Sequence, residues 1–567
     1  MEKHIISDPY PMTGRRRTAL FTAVLTVLFT SLLSPSTALS QGNTAAEAAT
    51  QLLKADLEGK RKALAALTQS SDARVGRFLQ AYLGSEIYLW NDDFVTFDGL
   101  TAEKVVTVLD AFTRSPLDAS GALVEVSELG VSLSAPRRLR RDLQNTARIF
   151  DLLSDEPEAR TLAATKLGDS GNPAFLGPLE KALEVESDSD VHFVLEESVA
   201  IIRLQDLENT ALEARHDAAR TLGEFGSSRA APVLIRLLDE IGDSEGQAAT
   251  EKIFRASLSK IESYEAKIRL LGYIFSGVSL GSILILMALG LSIIFGQMGV
   301  INMAHGEMMM VGAYATFWMH EFFVHYIPEG LFNVYFIVAL PFAFLVAAAV
   351  GFVTELVVVR HLYGRPLETL LATWGVSLVL IQAIRLLHGD NSAINNPTWL
   401  RGGAEVLQNF VLPYNRCFII VLCLLALFGV RALMNRTRFG LRVRATVQNR
   451  DMADSLGVRT RRVDGLTFAF GAGLAGTAGY ALTLIGGITP DMGQNYIVDS
   501  FLVVVTGGVG ELIGTVGAGM GLGVLNKFIE PSTGAVWGKV LVLAVVIVFI
   551  QWRPEGLFPP KGRVADV

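Results

Sequence analysis

The sequence predicts an all-α chain: a polytopic helical membrane bundle of about nine spans, preceded by a secreted helical domain of HEAT-like character. Three observations lead there. The stretch from Gln41 to Arg269 is rich in Asp, Glu, Lys and Arg, whereas the second half is hydrocarbon-like. Arginines punctuate that apolar half at intervals. A basic flank followed by a short apolar run opens the chain.

At the N-terminus, Arg15, Arg16 and Arg17 precede an apolar run from Ala19 to Leu33, and Ala38-Leu39-Ser40 supplies small residues at a signal-peptidase spacing. Residues 1–40 are expected to be a signal peptide cleaved after Ser40, with translation starting at Met12. The same run also fits an uncleaved anchor, although it is short for a span. Cleavage leaves residues 41–265 outside the membrane as a helical domain, followed by a transmembrane domain over 266–567.

From Ala45 to Leu270 the pattern reads as helical, with few strand signals. Within it, Ala163-Ala164-Thr165-Lys166-Leu167-Gly168-Asp169-Ser170-Gly171 recurs as Ala218-Ala219-Arg220-Thr221-Leu222-Gly223-Glu224-Phe225-Gly226. Each copy leads through a proline, Pro178 or Pro232, into an apolar helix. Helix pairs of this kind bury their apolar faces by stacking on neighbours, which builds a contact surface and not a catalytic pocket. An irregular helical bundle fits the same two copies. Tyr82, Tyr88 and Trp90 read as core aromatics, with a docking patch as the second reading.

The membrane half is ordered by hydropathy. Apolar segments run from Leu271 to Phe295, Met303 to Met319, Val334 to Val359, Glu368 to Leu387, Phe418 to Met434, Val463 to Ile485, Ser500 to Thr506, Leu512 to Asn526 and Trp537 to Ile550. Arginines concentrate at Arg360 to Arg365, Arg436 to Arg462 and Arg553 to Arg563, which assigns those connections to the cytoplasm. The loop from Asp390 to Tyr414 then faces outward, as does the start of the first span. Glycines cluster after Gly465, where small residues let membrane helices approach closely. The net charge of -7 belongs to the soluble acidic part, and nothing in the pattern suggests nucleic acid. Cys417 and Cys423 lie in one apolar span, so no disulfide framework or Cys-based metal site is expected.

Two segments carry chemistry. Between the first two spans the chain reads Gly-Gln-Met-Gly-Val-Ile-Asn-Met-Ala-His-Gly-Glu from Gly296 to Glu307, placing Asn302, His305 and Glu307 among hydrocarbon. A titratable side chain at bilayer depth costs about 2.5–3.5 kcal/mol on insertion scales and usually faces a bundle interior or watery cavity. The same residues also fit a short cytoplasmic turn with solvated polar groups, because Gly296 and Gly299 can bend the chain there. The second segment lies between Asn435 and Asp464, where Met452, Ala453 and Leu456 fall on one helical face and Gly457 suits a left-handed helix end. Such a helix suits a groove in a cytoplasmic partner, or an interfacial position on anionic lipid.

Gly290 to Tyr314, the loop from Thr437 to Gly457, and Gly507-Gly508-Val509-Gly510 together resemble the permease family of ABC importers for branched-chain amino acids and urea. Ala372-Thr373-Trp374-Gly375-Val376-Ser377-Leu378, Pro397-Thr398-Trp399-Leu400-Arg401-Gly402-Gly403 and the long N-terminal extension are similar to the urea branch of that family. The resemblance implies a multi-pass subunit of the bacterial inner membrane with its N-terminal domain periplasmic. It also implies a second permease, two cytoplasmic ATP-binding subunits, an extracytoplasmic binding protein, and urea as substrate. The chain has no Gly-x-x-x-x-Gly-Lys-Ser/Thr pattern, so it is expected not to be an enzyme, with ATP hydrolysis left to partners and no cofactor or metal of its own.

A neutral, hydrogen-bonding substrate needs amides, hydroxyls and carbonyls along its path. Asn302, His305, Glu307, Thr373, Ser377 and Gln382 are the expected pathway residues, with Trp374 setting the width. Glu307 pairing with an interior cation, and Thr373 and Ser377 acting as helix-capping hydroxyls, are the alternatives for those residues. Asn449, Arg450, Met452, Ala453, Leu456 and Gly457 are expected to couple to the ATPases. A permease for branched-chain amino acids or other small amides fits the same frame, and a membrane sensor is the reading without transport.

Overall fold

The computed structural model describes residues 38–68, 70, 72, 74–91, 93–97, 105–115, 123–125, 132–241 and 248–558. Most of the expected leader, residues 1–37, and the tail from 559 lie outside the described residues. The chain divides into two compact units, Met1–Glu265 and Ala266–Val567.

The first unit opens with helices α1 (Ala38–Lys54), α2 (Leu57–Thr68) and α3 (Arg74–Gly84). Strands β1 (Ile87–Trp90), β2 (Asp93–Phe97), β3 (Val105–Asp110), β4 (Leu123–Glu125) and β5 (Ser132–Leu133) follow, then α4 (Arg140–Asp151). The strands form one antiparallel sheet in the order β4-β3-β2-β1-β5, which corrects the expectation of an all-α chain. The physical reason lies in the residues. Ile87 to Phe97 is dense in β-branched and aromatic side chains. The β1–β2 register pairs Trp90 with Asp93, leaving a two-residue connection in which Asn91 adopts φ +49°. Tyr82 belongs to the core with Leu52, Leu67, Leu79 and Leu143, whereas Tyr88, Trp90 and Phe97 pack on Val95 and Val108 of the sheet.

Helices α5 (Pro157–Asp169), α6 (Leu176–Val185), α7 (Ser189–Gln205), α8 (Leu212–Phe225) and α9 (Ala231–Ile241) carry the two sequence copies in equivalent places. Gly168 of α5 abuts Ser198 of α7, and Gly223 of α8 abuts Ser257 of the helix that follows α9. Gly171 and Gly226 both take left-handed φ just past their helices. Arg229 ties the copies together, bonding to Asp169, Glu197 and the Thr165 carbonyl.

The second unit takes up the later part of α10 (Ala248–Met298) and then contains α11 (His305–Tyr326), α12 (Tyr335–Val357) and α13 (Pro366–His388). A hairpin of β6 (Gly403–Leu407) and β7 (Phe410–Pro413) precedes α14 (Tyr414–Arg436), short helices α15 (Arg438–Gln448) and α16 (Arg450–Ser455), and finally α17 (Thr460–Leu482), α18 (Met492–Gly507), α19 (Leu512–Thr533) and α20 (Ala535–Trp552). Each of the nine apolar segments falls on one of these helices. Among the described residues, six helices are long and apolar enough to cross a membrane: α10, the run Gly330–Val357 ending in α12, α13, α14, α19 and α20. Length and composition thus support six of the nine expected spans. Of the others, α18 is short at 16 residues, and the glycines and threonines of α17 dilute its hydropathy. These helices are packed inside, α17 being buried along nearly its whole length.

Close packing around α17 follows from its small residues. A Cβ on Gly476 would meet the Ala347 methyl and the Ala343 carbonyl of α12, and one on Gly479 would meet the Met309 carbonyl of α11. Gly517 on α19, by contrast, has open space around it. We therefore expect Gly476→Val to lower the melting temperature of the detergent-purified chain, by a destabilisation of about 1–3 kcal/mol or more, and Gly517→Val to leave it nearly unchanged. Equal melting of the two variants would contradict this packing.

Candidate functional site

The connection between α10 and α11 does not stay at the end of α10. His305 Nε2 donates to the Met287 carbonyl at 3.1 Å, and a Cβ on Gly290 would meet the His305 ring. Met287 lies about 16 Å back along α10 from Met298 at 1.5 Å per residue. Residues 299–304 therefore climb back beside their own helix, starting from Gly299 at φ +64°, and α11 begins partway up the bundle. Irregular backbone at membrane depth persists only where protein or an internal cavity surrounds it. Asn302, His305 and Glu307 are all buried, which removes the solvated-turn reading.

Several expected pathway residues converge on this segment. Asn302 Oδ1 accepts the Ala304 N–H at 3.0 Å, and Thr373 Oγ1 accepts the Met303 N–H at 3.1 Å while donating to the Leu370 carbonyl. Ser377 Oγ donates to Glu307 Oε1 at 2.7 Å, so Glu307 has a hydroxyl partner where a cation was the alternative. Thr369, Thr373, Ser377 and Ile381 make one buried stripe along α13, at the i, i+4 spacing that puts them on one face. Trp374, 48% exposed, and the exposed Gln382 sit one position beyond that stripe and are not brought to the site.

The cluster is incompletely paired. Asn302 Nδ2, His305 Nδ1 and Glu307 Oε2 are buried with no hydrogen-bond partner among the described residues. Unpaired buried polar atoms are costly and rare. Here they comprise an amide donor, an imidazole nitrogen and a carboxyl oxygen. Asn302 also lines a cavity of about 100 Å³, together with Leu291, Ile301, Met303, Ile497, Val498 and Phe501; His305 and Glu307 do not line it. It offers apolar walls with Asn302 as its polar side chain.

A second polar cluster surrounds the start of α16; it takes in the expected Asn449 and Arg450 and adds Asp464, Gln297, Tyr363, Glu355 and Arg360, which the sequence-based list lacks. Asp464 is fully buried; it accepts from Gln297 Nε2 at 3.2 Å and from the Arg450 guanidinium. That guanidinium lies 5.3 Å over the Tyr363 ring. Tyr363 donates to Glu355 Oε1 at 2.9 Å, and Arg360 pairs with Glu355 Oε2 at 3.0 Å. Asn449 caps α16 by accepting the Met452 N–H at 2.9 Å, and Gly457 takes φ +86° after it. Met452 and Leu456 are 59% and 79% exposed, whereas Ala453 is 4% exposed and packs inside the chain. This corrects the expectation that all three share one outward face. The i, i+4 pair Met452 and Leu456 faces outward, and Ala453, about 100° round the helix from Met452, turns inward.

Residues 273–550 match the family model described as "Branched-chain amino acid transport system / permease component", and residues 214–240, over α8 and α9, match the PBS lyase HEAT-like repeat. The chain is 31% identical over 290 residues to the high-affinity branched-chain amino acid transport system permease protein BraD of Pseudomonas aeruginosa, covering 50% of this chain and 93% of BraD. It is 29% identical over 291 residues to the corresponding LivH protein of Salmonella typhimurium, covering 50% of this chain and 93% of LivH. With the LivM protein of Escherichia coli it shares 27% identity over 305 residues, 50% of this chain and 69% of LivM. No solved structure matches the chain significantly.

The burial difference on α16 gives a direct expectation. Ala453→Asp places an uncompensated charge inside the protein and is expected to destabilise it by about 3 kcal/mol or more. Leu456→Asp changes an exposed position and is expected to stay within about 0.5 kcal/mol of the parent. Thermal unfolding of the two purified variants checks the difference, and the reverse order would overturn the assignment of faces.

Proposed function

This chain belongs to the family of permease components of branched-chain amino acid transport systems, and from that premise we propose that it is the membrane subunit of an ATP-driven importer for branched-chain amino acids. It pairs with a second permease, two cytoplasmic ATP-binding subunits and an extracytoplasmic binding protein, and sits as a multi-pass protein in the inner membrane. The observation that carries the reading is the buried polar cluster of Asn302, His305 and Glu307 on the segment that climbs back along α10, each with an unpaired hydrogen-bonding atom and with Asn302 at the wall of an apolar cavity.

The chemistry fits alternating access. Binding of a substrate that satisfies the unpaired atoms lowers the cost of the buried cluster, and the ATPases supply the differential binding energy that shifts the bundle between its two openings. Met452 and Leu456 project from the capped helix α16 toward the ATPase, while Ala453 and Arg450 fix that helix to the bundle. The relatives' names speak for amino acids as the cargo, and none of them speaks for urea. Urea or another small amide is the second reading. It is favoured by one feature: the unpaired Asn302 amide, His305 nitrogen and Glu307 oxygen suit a compact molecule that donates and accepts at once.

Uptake separates the two. In cells deleted for this chain, labelled leucine uptake is expected to fall to background, to return with the intact gene, and to resist competition by excess urea. Loss of labelled urea uptake with leucine uptake unchanged would move the assignment to the small-amide reading. Unchanged uptake of both would contradict the transport role.

A further inference from the structure

Asp464 is a fully buried carboxylate near the start of α17, and both of its oxygens are engaged by groups from different parts of the chain. Gln297 reaches it from the last turn of α10, two residues before Gly299 begins the climbing segment. Arg450 reaches it from the first residue of α16. Buried charges are held only where partners are fixed around them, so the position of Arg450 relative to α17 is tightly constrained. The stack of Arg450 on Tyr363, and the bonds of Tyr363 and Arg360 to the fully buried Glu355, tie the same guanidinium to α12.

From these contacts we propose that the Arg450–Asp464–Gln297 chain is the mechanical joint between α16 and the polar site, with Asp464 as its positioning residue. The inference rests on the transport reading above and adds a route to it. A displacement of α16 cannot leave Asp464 behind without stripping a buried carboxylate of its cation. Because Gln297 binds the other oxygen, the displacement is passed to the end of α10 and thence to the backbone that carries Asn302, His305 and Glu307. Glu355 and Tyr363 limit the motion by holding Arg450 against α12. The joint is made of directional bonds between three helices. It therefore works as a switch between discrete arrangements and not as a soft contact.

The test uses the complete transporter, purified with its ATP-binding subunits and binding protein and reconstituted in liposomes, with labelled leucine and labelled urea both supplied. Asp464→Asn keeps the size of the side chain and its bond from Gln297 while removing the charge. It is expected to leave ATP hydrolysis running and to cut substrate moved per ATP by about tenfold. Arg450→Lys, which keeps the charge but loses the planar stack, is expected to fall between parent and Asp464→Asn. The neutral pair Arg450→Gln with Asp464→Asn controls for folding, because neither charge is left unpaired. It is expected to assemble at parental yield and still hydrolyse ATP without efficient transport.

Parental stoichiometry in Asp464→Asn overturns the proposal, as does a loss of transport that follows only the amount of assembled complex. Recovery of full transport in the neutral pair also overturns it, since the charges would then matter for folding alone. Failure of the parent complex to move either substrate would instead count against the transport reading itself.

Discussion

Backbone contact between helices is the constraint on which the membrane unit depends. Lipid tails compete equally for apolar side chains, so helices in a bilayer gain stability by close van der Waals approach and by interhelical hydrogen bonds. Gly476 and Gly479 on α17 let that helix rest against the backbones of α12 and α11, and Gly281 and Gly523 do the same between α10 and α19. Side chains at these points would force the helices apart. With the helices held apart, the segment before α11 would lose the protein walls that allow irregular backbone at that depth.

The polar groups use the space so created in two different ways. Asp464 and Glu355 are satisfied by cations and donors from neighbouring elements, which links those elements and leaves these carboxylates nothing to offer a substrate. Asn302, His305 and Glu307 are held by one partner each, Ala304, Met287 and Ser377, with one atom left over on every side chain. A rigid half and an unsatisfied half on the same residue suit a site that must bind and release. Full pairing would give a stable core with nothing to offer a substrate, and no pairing would leave the side chains without defined positions.

Much of the architecture is legible in the sequence because long apolar runs survive any local ambiguity; helices stand at all nine such runs. The sheet from Ile87 to Leu133 is not, since its strands are two to six residues long and lie between strongly helical neighbours. In the site, the Thr373–Ser377 stripe follows from its four-residue spacing. Spacing does not say which face of α13 turns inward, so it cannot separate Trp374 and Gln382, which lie off the buried stripe, from the residues on it. Glu355 and Asp464 carry the same signal as Glu307, a carboxylate within an apolar stretch. Nearby arginines mask that signal by making their surroundings look like ordinary cytoplasmic loop. Ala453 is hard to place for a related reason: a six-residue helix is too short for periodicity to separate its packed side from its open one.

The central claim is that the segment bearing Asn302 lines a path whose access alternates. Its most direct test is thiol labelling of Asn302→Cys in a chain whose Cys417 and Cys423 have been replaced by serine and alanine, reconstituted with its partner subunits. A small membrane-impermeant reagent is applied from one face or the other, with and without trapping of the ATPases. The account predicts that the introduced thiol reacts from one face in the resting complex and from the opposite face once the ATPases are trapped. Absence of reaction in every state, or identical reaction from one face throughout, would contradict it.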